Sequence, residues 1–269
     1  MGAIARLEIH LQTMSPVLLG YSGGVDSAVL AVCGARALGP DGFLAVIGRS
    51  PSYPEVQYQQ ALSLARTNGV PVLEVATGEM DDPHYRSNQA DRCFHCKKEL
   101  WTGLQEVATA RGFQTIIDGT NADDLGEHRP GLAAGRLAGI RSPLAELGMT
   151  KAQVRDMARE LRLPIWDAPA APCLASRVTY GMPVTVERLR QIELAEEAVR
   201  SLGLGGNLRV RHRGAEATVE VDSAWVEWLQ ARWTVVEALV LAQGFERVTL
   251  DPLGYRRGAL VSELPVVPG

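Results

Sequence analysis

The chain has 269 residues, of which 46% are hydrophobic and 22% charged, and a formal net charge of −4. That length suffices for one large or two modest domains, and the acidic balance gives nucleic acid no global attraction. No apolar run approaches the ~20 residues of a bilayer span, and the first twenty residues lack the layout of a secretory signal or a myristoylation motif, so the expected location is the cytoplasm.

In chain order, Pro16 to Tyr21 reads as a strand, Ser22-Gly23-Gly24-Val25-Asp26-Ser27 as a tight turn, and Ala28 to Leu38 as a helix. Backbone amides at such a helix start, with the positive end of the helix dipole, favour an anion. A phosphate loop of the Walker kind ends in Gly-Lys-Ser/Thr, and residues 22–27 contain no lysine, so kinase and GTPase chemistry recedes. The plainer alternative is a glycine-rich turn with Asp26 or Ser27 as helix N-cap. Strand-like runs at Phe43–Ile47, Pro71–Val75 and Thr115–Ile117 alternate with helical stretches at Pro54–Asn68 and Cys96–Arg111. That alternation implies a parallel sheet covered on both faces. A polar segment, Asp118 to Asp124, follows the last of these strands; its paired acids Asp123 and Asp124 suit either a turn or a metal.

Thr150 and Gln153 form a capping box before a helix that should end near Leu163-Pro164. Composition then changes to the proline and alanine stretch Asp167–Pro172, which places a domain boundary between 1–168 and 169–269. Thr185 caps a helix with apolar positions Val186, Leu189, Ile192, Ala195, Val199 and Leu202, ended by Gly203. Leu208–Arg213 and Ala217–Val221 read as a hairpin through Gly214, Ser223–Gln243 as one helix, and Phe245–Leu250 as a last strand. Trp225, Trp228 and Trp233 are expected in the core or at a subunit contact. The expected fold is therefore α/β, a parallel-sheet domain followed by a smaller α+β domain.

Four cysteines in a reducing compartment are metal-binding, catalytic or buried. Cys33, inside the apolar helix after the turn, reads as core. Cys93 and Cys96 form a CxxC pair, and Cys173 stands alone after the linker. The pair by itself suits a zinc site, with His95 or a distant histidine as a further ligand, or a redox couple. Three thiols with one open position suit a [4Fe-4S] cluster whose free iron binds an extra sulfide. Arg209, Arg211 and Arg213 alternate with Leu208, Val210 and His212, which sets three guanidinium groups on one strand face, either solvated or anion-binding.

The SGGVDS loop resembles that of the PP-loop ATP pyrophosphatases, whose adenine nucleotide α-hydrolase-like fold matches the expected first domain. The resemblance implies ATP as cofactor, its outer phosphates on Ser22, Gly23, Gly24, Val25 and Ser27, and Asp26 placing Mg2+ or a similar divalent cation. Ser50, Gly119 and Thr120 are further nucleotide candidates. Taken with the RCxxCK segment, Asp118–Asp124 and Cys173-Leu174-Ala175-Ser176-Arg177, the chain resembles the LarE family of ATP-dependent sulfur transferases of nickel-pincer nucleotide synthesis. That resemblance implies adenylation of the carboxylates of pyridinium-3,5-biscarboxylic acid mononucleotide and their conversion to thiocarboxylates. It makes Cys173 the sulfur-handling residue and Ser176, Arg177, Arg209, Arg211 and Arg256 substrate-binding candidates, with Glu197 and Glu220 as metal candidates. The family has two modes, one sacrificing the cysteine sulfur and one carrying sulfide on a three-cysteine cluster. The presence of Cys93 and Cys96 favours the cluster. A sulfur donor and a homo-oligomer are implied partners, without nucleic acid or membrane. The rivals are a tRNA-thiolating enzyme, an amide-forming synthetase of the NAD or GMP type, and an ATP-binding iron-sulfur sensor.

Overall fold

The computed structural model describes residues 1–126, 130–169 and 172–256. It divides into two compact units, Met1–Glu79 with Cys93–Ala171, and Met80–Arg92 with Pro172–Gly269. The chain therefore changes unit at 171/172, three residues beyond the composition change read from sequence, and it also makes an excursion over 80–92 that nothing in the composition announces.

The first unit opens with α1 (Ala3–Gln12), then β1 (Val17–Gly20), α2 (Val25–Gly42), β2 (Phe43–Arg49), α3 (Glu55–Thr67) and β3 (Val72–Ala76). After the excursion, which carries the short α4 (Pro83–Arg86), come α5 (Arg92–Arg111), β4 (Thr115–Ile117), α6 (Pro130–Leu137), α7 (Pro143–Glu146) and α8 (Lys151–Glu160). The four strands are all parallel in the order β3-β2-β1-β4. Val17, Leu18 and Leu19 are fully buried, as a parallel strand covered on both faces requires. One face packs α1, α2, α3 and α8 through Leu7, Leu11, Leu30, Leu64 and Met157, and the other packs Trp101 and Leu104 of α5. α1 was not foreseen; it is held by Leu7 and Leu11, four residues apart on one face, both fully buried. α2 breaks at Gly39-Pro40, where proline removes a donor and clashes with the preceding turn.

The second unit contains α9 (Val186–Arg200), β5 (Leu208–Arg213), β6 (Glu216–Val221), α10 (Ser223–Gln230), α11 (Trp233–Leu241) and β7 (Arg247–Leu250). β5 and β6 form the expected antiparallel hairpin, Arg213 facing Glu216 across the turn. β7 joins β6 in parallel, so α10 and α11 form the crossover that a parallel connection needs. The single helix expected over 223–243 is thus two, with Arg232 at φ −117°, ψ 13° between them. Its guanidinium lies 4.2 Å from the Trp228 ring centre. Among the described residues no helix is long and apolar enough to cross a membrane.

Candidate active site

Residues 22–24 turn the chain from β1 into α2. Gly23 has φ +68°, and a Cβ there would lie 2.5 Å from the Ala61 Cβ, so only glycine fits this turn without strain. Tyr53 donates its hydroxyl to the Ser22 carbonyl at 2.9 Å, which ties the loop to the start of α3. Ser27 receives the Ser22 amide at 3.3 Å and lies 3.1 Å from the Ser22 hydroxyl. The two serines therefore span a concave turn at the N-terminus of α2. Gly119, after β4, approaches so closely that a Cβ would stand 3.1 Å from the Ser27 nitrogen and 3.3 Å from the Asp26 Cβ. The strand ends and the loop thus meet at the carboxyl edge of the parallel sheet, where open α/β folds bind ligands.

Asp26 is engaged on both oxygens. Asn121 donates its side-chain amide to Oδ1 at 3.1 Å, and the Lys151 ammonium lies 2.5 Å from Oδ2. Thr120 donates its backbone amide and hydroxyl to Asp118 at 3.0 and 2.8 Å, and Ser142 donates to the same carboxylate at 2.7 Å. Asp124 accepts the Asn121 amide at 3.1 Å, and Asp123 accepts the Lys151 amide at 2.8 Å. The acids of the polar segment thus order its backbone and tie it to α8. Ser50 donates to the buried Glu79 and accepts the Ser52 amide at 3.0 Å, so its hydroxyl shapes the end of β2. Lys151 was missed in the sequence, because 125 positions separate it from Asp26 and no local motif records such a pairing.

Cys93 and Cys96 both fall within the first five residues of α5, which begins at Arg92 rather than at Cys96. Three positions apart, they share one helix face, Cys93 exposed and Cys96 half-buried. This pair belongs to the first unit and Cys173 to the second. Cys33 is fully buried, and burial pushes its thiol up to about 12, which keeps it protonated and unreactive.

In the second unit, Cys173 is the N-cap of a short 3-10 turn, Leu174–Arg177. Its carbonyl accepts the Ser176 amide at 3.0 Å, the Ser176 hydroxyl at 2.7 Å and the Arg177 guanidinium at 2.9 Å. Arg177 pairs with Glu196 at 2.9 and 3.1 Å, and Glu196 also receives the Val210 amide at 3.0 Å. Arg211 pairs with Glu220 at 2.9 and 2.7 Å and donates to the Ser176 carbonyl at 2.9 Å. Arg209 lies 5.0 Å from the Tyr255 ring centre; burial and the neighbouring Arg177 push its guanidinium down to about 10. Ser176, Arg177, Arg209, Arg211 and Glu220 are thus brought together around the Cys173 turn. Glu197 is exposed on α9, while its neighbour Glu196 is the buried carboxylate. Heptad-like spacing along α9 could have shown this, since Ile192, Ala195, Glu196 and Val199 share the buried face. Arg213 is exposed, and Arg256 pairs with Asp251 at 2.9 Å at the surface. Truncating Arg211 would leave Glu220 buried and uncompensated, at about 3–5 kcal/mol, so an alanine there tests folding together with binding.

The family model for NAD synthase matches residues 3–100, the stretch that contains the loop. An uncharacterised protein of Synechocystis sp. is 40% identical over 259 residues, covering 96% of both chains. The pyridinium-3,5-bisthiocarboxylic acid mononucleotide synthase of Lactiplantibacillus plantarum is 32% identical over 256 residues, 95% of this chain and 92% of that one. An uncharacterised protein of Methanocaldococcus jannaschii is 26% identical over 240 residues, 89% of this chain and 90% of its own.

Proposed function

Since the chain belongs to the LarE family, that of the pyridinium-3,5-bisthiocarboxylic acid mononucleotide synthase, we propose that it is an ATP-dependent sulfur transferase acting on the corresponding biscarboxylate nucleotide. The observation that carries this reading is the turn from Ser22 to Ser27, lysine-free and closed by Gly119 against the start of α2. That cradle suits the pyrophosphate of ATP as a leaving group. Loop amides and the hydroxyls of Ser22 and Ser27 hold the outer phosphates, and Gly119 and Thr120 border them. Asp26, whose Oδ2 already faces a positive charge, fits a divalent cation shared with the phosphates.

The chemistry follows from the poor leaving ability of a carboxylate oxygen. A substrate carboxylate attacks the α-phosphorus, the bond to pyrophosphate breaks, and the acyl adenylate forms. A sulfur nucleophile then attacks the acyl carbon, and the carbon-oxygen bond to AMP breaks. Arg177, Arg209 and Arg211 gather guanidinium donors beside Cys173, with Arg177 and Arg211 already paired to Glu196 and Glu220, and suit the phosphate of the nucleotide; a bound anion would relieve the mutual repulsion of Arg177 and Arg209. Arg256 remains a peripheral candidate, and Glu220 and Glu197 are proposed as weak metal contacts.

For the sulfur, the donor chemistry fits a [4Fe-4S] cluster: Cys93 and Cys96 offer two thiolates from one helical turn, and Cys173 would be the third. When bound, that group supplies a transferable sulfide. The whole reading includes an external sulfur donor, a cytoplasmic setting and a homo-oligomer without nucleic-acid partner. The test is anaerobic reconstitution with iron and sulfide, followed by assay with Mg-ATP and the biscarboxylate nucleotide. Expected are pyrophosphate release that depends on the nucleotide, thiocarboxylate product, and about four irons per chain that are lost in Cys93→Ala, Cys96→Ala and Cys173→Ala. No nucleotide-dependent pyrophosphate would sink the reading; product without iron, with sulfur lost from Cys173, would replace the cluster by the sacrificial mode.

A further inference from the structure

Cys173 stands on a short turn. Leu174–Arg177 has four residues, and no side-chain cap bond secures its start, so this 3-10 piece is too brief to keep one geometry unaided. It is fixed through its carbonyls instead. Those of Cys173 and Ser176 accept from Arg177 and Arg211. The Ala175 carbonyl accepts the Val178 amide at 3.2 Å and, across 83 positions, the Arg92 Nη1 at 2.9 Å.

Arg92 ends the 80–92 excursion, shares the second unit with Cys173, and directly precedes Cys93. It is 4% exposed, and its Nη1 also donates to Asn88 Oδ1, four positions back. Asn88 adopts φ +57° and grips the chain that follows the turn. Its side-chain amide donates to the carbonyls of Val178, Thr179 and Met182 at 3.3, 2.9 and 3.0 Å, and its own carbonyl accepts the Gly181 amide at 3.1 Å. The Arg92 guanidinium also lies 5.7 Å from the Tyr180 ring centre. Two neighbouring side chains thus clamp the backbone from Ala175 to Met182. Stability alone would be served as well by an apolar residue, since a guanidinium is costly to bury. What an apolar residue lacks is direction: a rigid planar fork fixes where its acceptors stand.

We propose that Arg92, oriented by Asn88, is a positioning residue for sulfur transfer. It acts through the Ala175 carbonyl, holding the turn so that the Cys173 sulfur stands where the transfer needs it, and it ties that turn to the residue from which Cys93 follows. Formation of the acyl adenylate does not depend on it. The role rests on the reading of Cys173 as the sulfur-handling residue, and it adds the device that holds that residue in place.

The two half-reactions separate positioning from folding. In the full chain reconstituted with iron and sulfide, single-turnover pyrophosphate release with Mg-ATP and the biscarboxylate nucleotide reports adenylation, and thiocarboxylate formation reports sulfur transfer. Arg92→Leu, which keeps the site filled, and Asn88→Gly, which tolerates the positive φ, should each slow thiocarboxylate formation by about tenfold to a hundredfold, the scale set by a displacement of about an ångström. Pyrophosphate release should be unchanged in both. Arg92→Lys, which returns a cationic donor, should recover most of the transfer. In the iron-free chain, hydrogen exchange at the Ser176 and Val178 amides should quicken in Arg92→Leu while β6 and β7 keep their protection. Equal loss of both half-reactions, unchanged transfer, or exchange that stays slow at the turn overturns the positioning role. A parent chain that itself releases no nucleotide-dependent pyrophosphate overturns the sulfur-transferase reading, a result seen before any variant is made. A thermal melt identifies a variant that has not folded, and the other substitution then decides.

Discussion

His212 shows how burial sets chemistry for one side chain. It is 3% exposed on β5; its Nδ1 accepts the Gly214 amide, and its Nε2 lies 3.0 Å from the Gln191 Oε1. That arrangement selects the neutral ring with the proton on Nε2, donated to Gln191. Burial first, and then the charge of Arg188, pushes the ring down from 6.5 to about 4. Between those two values the unfolded chain binds a proton that the folded chain does not, so stability rises with pH through this window and is lost on acidification. The loss should approach about 3 kcal/mol by pH 4 and grow no further below it. Urea midpoints measured from pH 7 to 4 should fall for the parent and fall less for His212→Gln; parallel slopes would show that the ring does not drive the loss. The same residue shows what sequence conceals, for the alternation of Leu208 to Arg213 set its arginines on one face, either solvated or anion-binding, whereas both faces of β5 are buried up to Arg213.

At the scale of elements, the start of α8 joins stability to function. The capping box satisfies two otherwise orphaned donors, at Thr150 and Gln153, and Lys151 follows directly. Thr150→Ala should cost about 1 kcal/mol, a fall in melting temperature of about 2–4 °C for a chain of this size, and Thr150→Ser should recover most of it. A melt that does not move would mean that packing of Val154 and Met157 alone fixes the helix. This box was legible because its signal is local, as were the loop, the four parallel strands and the Gly214 hairpin. The start of α5 was not. Arg92 begins the helix because its amide donates to Gln89 and its guanidinium is held by Asn88 and the Ala175 carbonyl, contacts spread over 83 positions. Nor does a glycine or proline mark the break between α10 and α11, so periodicity ran straight through it. In the site, the cationic strand and Cys173 were readable from residue type, but the identity of the buried acid on α9 and the lysine opposite Asp26 depend on packing.

Across the whole molecule, the order of the chain and the order of the units differ. Asn88, fully buried, gives its side-chain amide to the carbonyls of Val178, Thr179 and Met182, and Val184 donates to the Arg86 carbonyl. Cutting after the linker would therefore not release the first unit by itself, because 80–92, part of the second unit, would stay attached to it. A fragment ending at residue 171 would strand the donors of Asn88 and Arg92 without acceptors, at about 1–3 kcal/mol for each buried group. Expressed alone, it should be protected from hydrogen exchange in β1 and β2 and unprotected over 80–92; full protection of 80–92 in that fragment would contradict the division into units. The same excursion imposes a schedule on the ribosome. Asn88 emerges 90 positions before Val178, and at the usual pace of synthesis its partners follow on the order of five to twenty seconds later. Through that interval the segment from 80 to 92 has no destination, and the nascent chain must build its parallel sheet around a stretch that waits for the far end of the message.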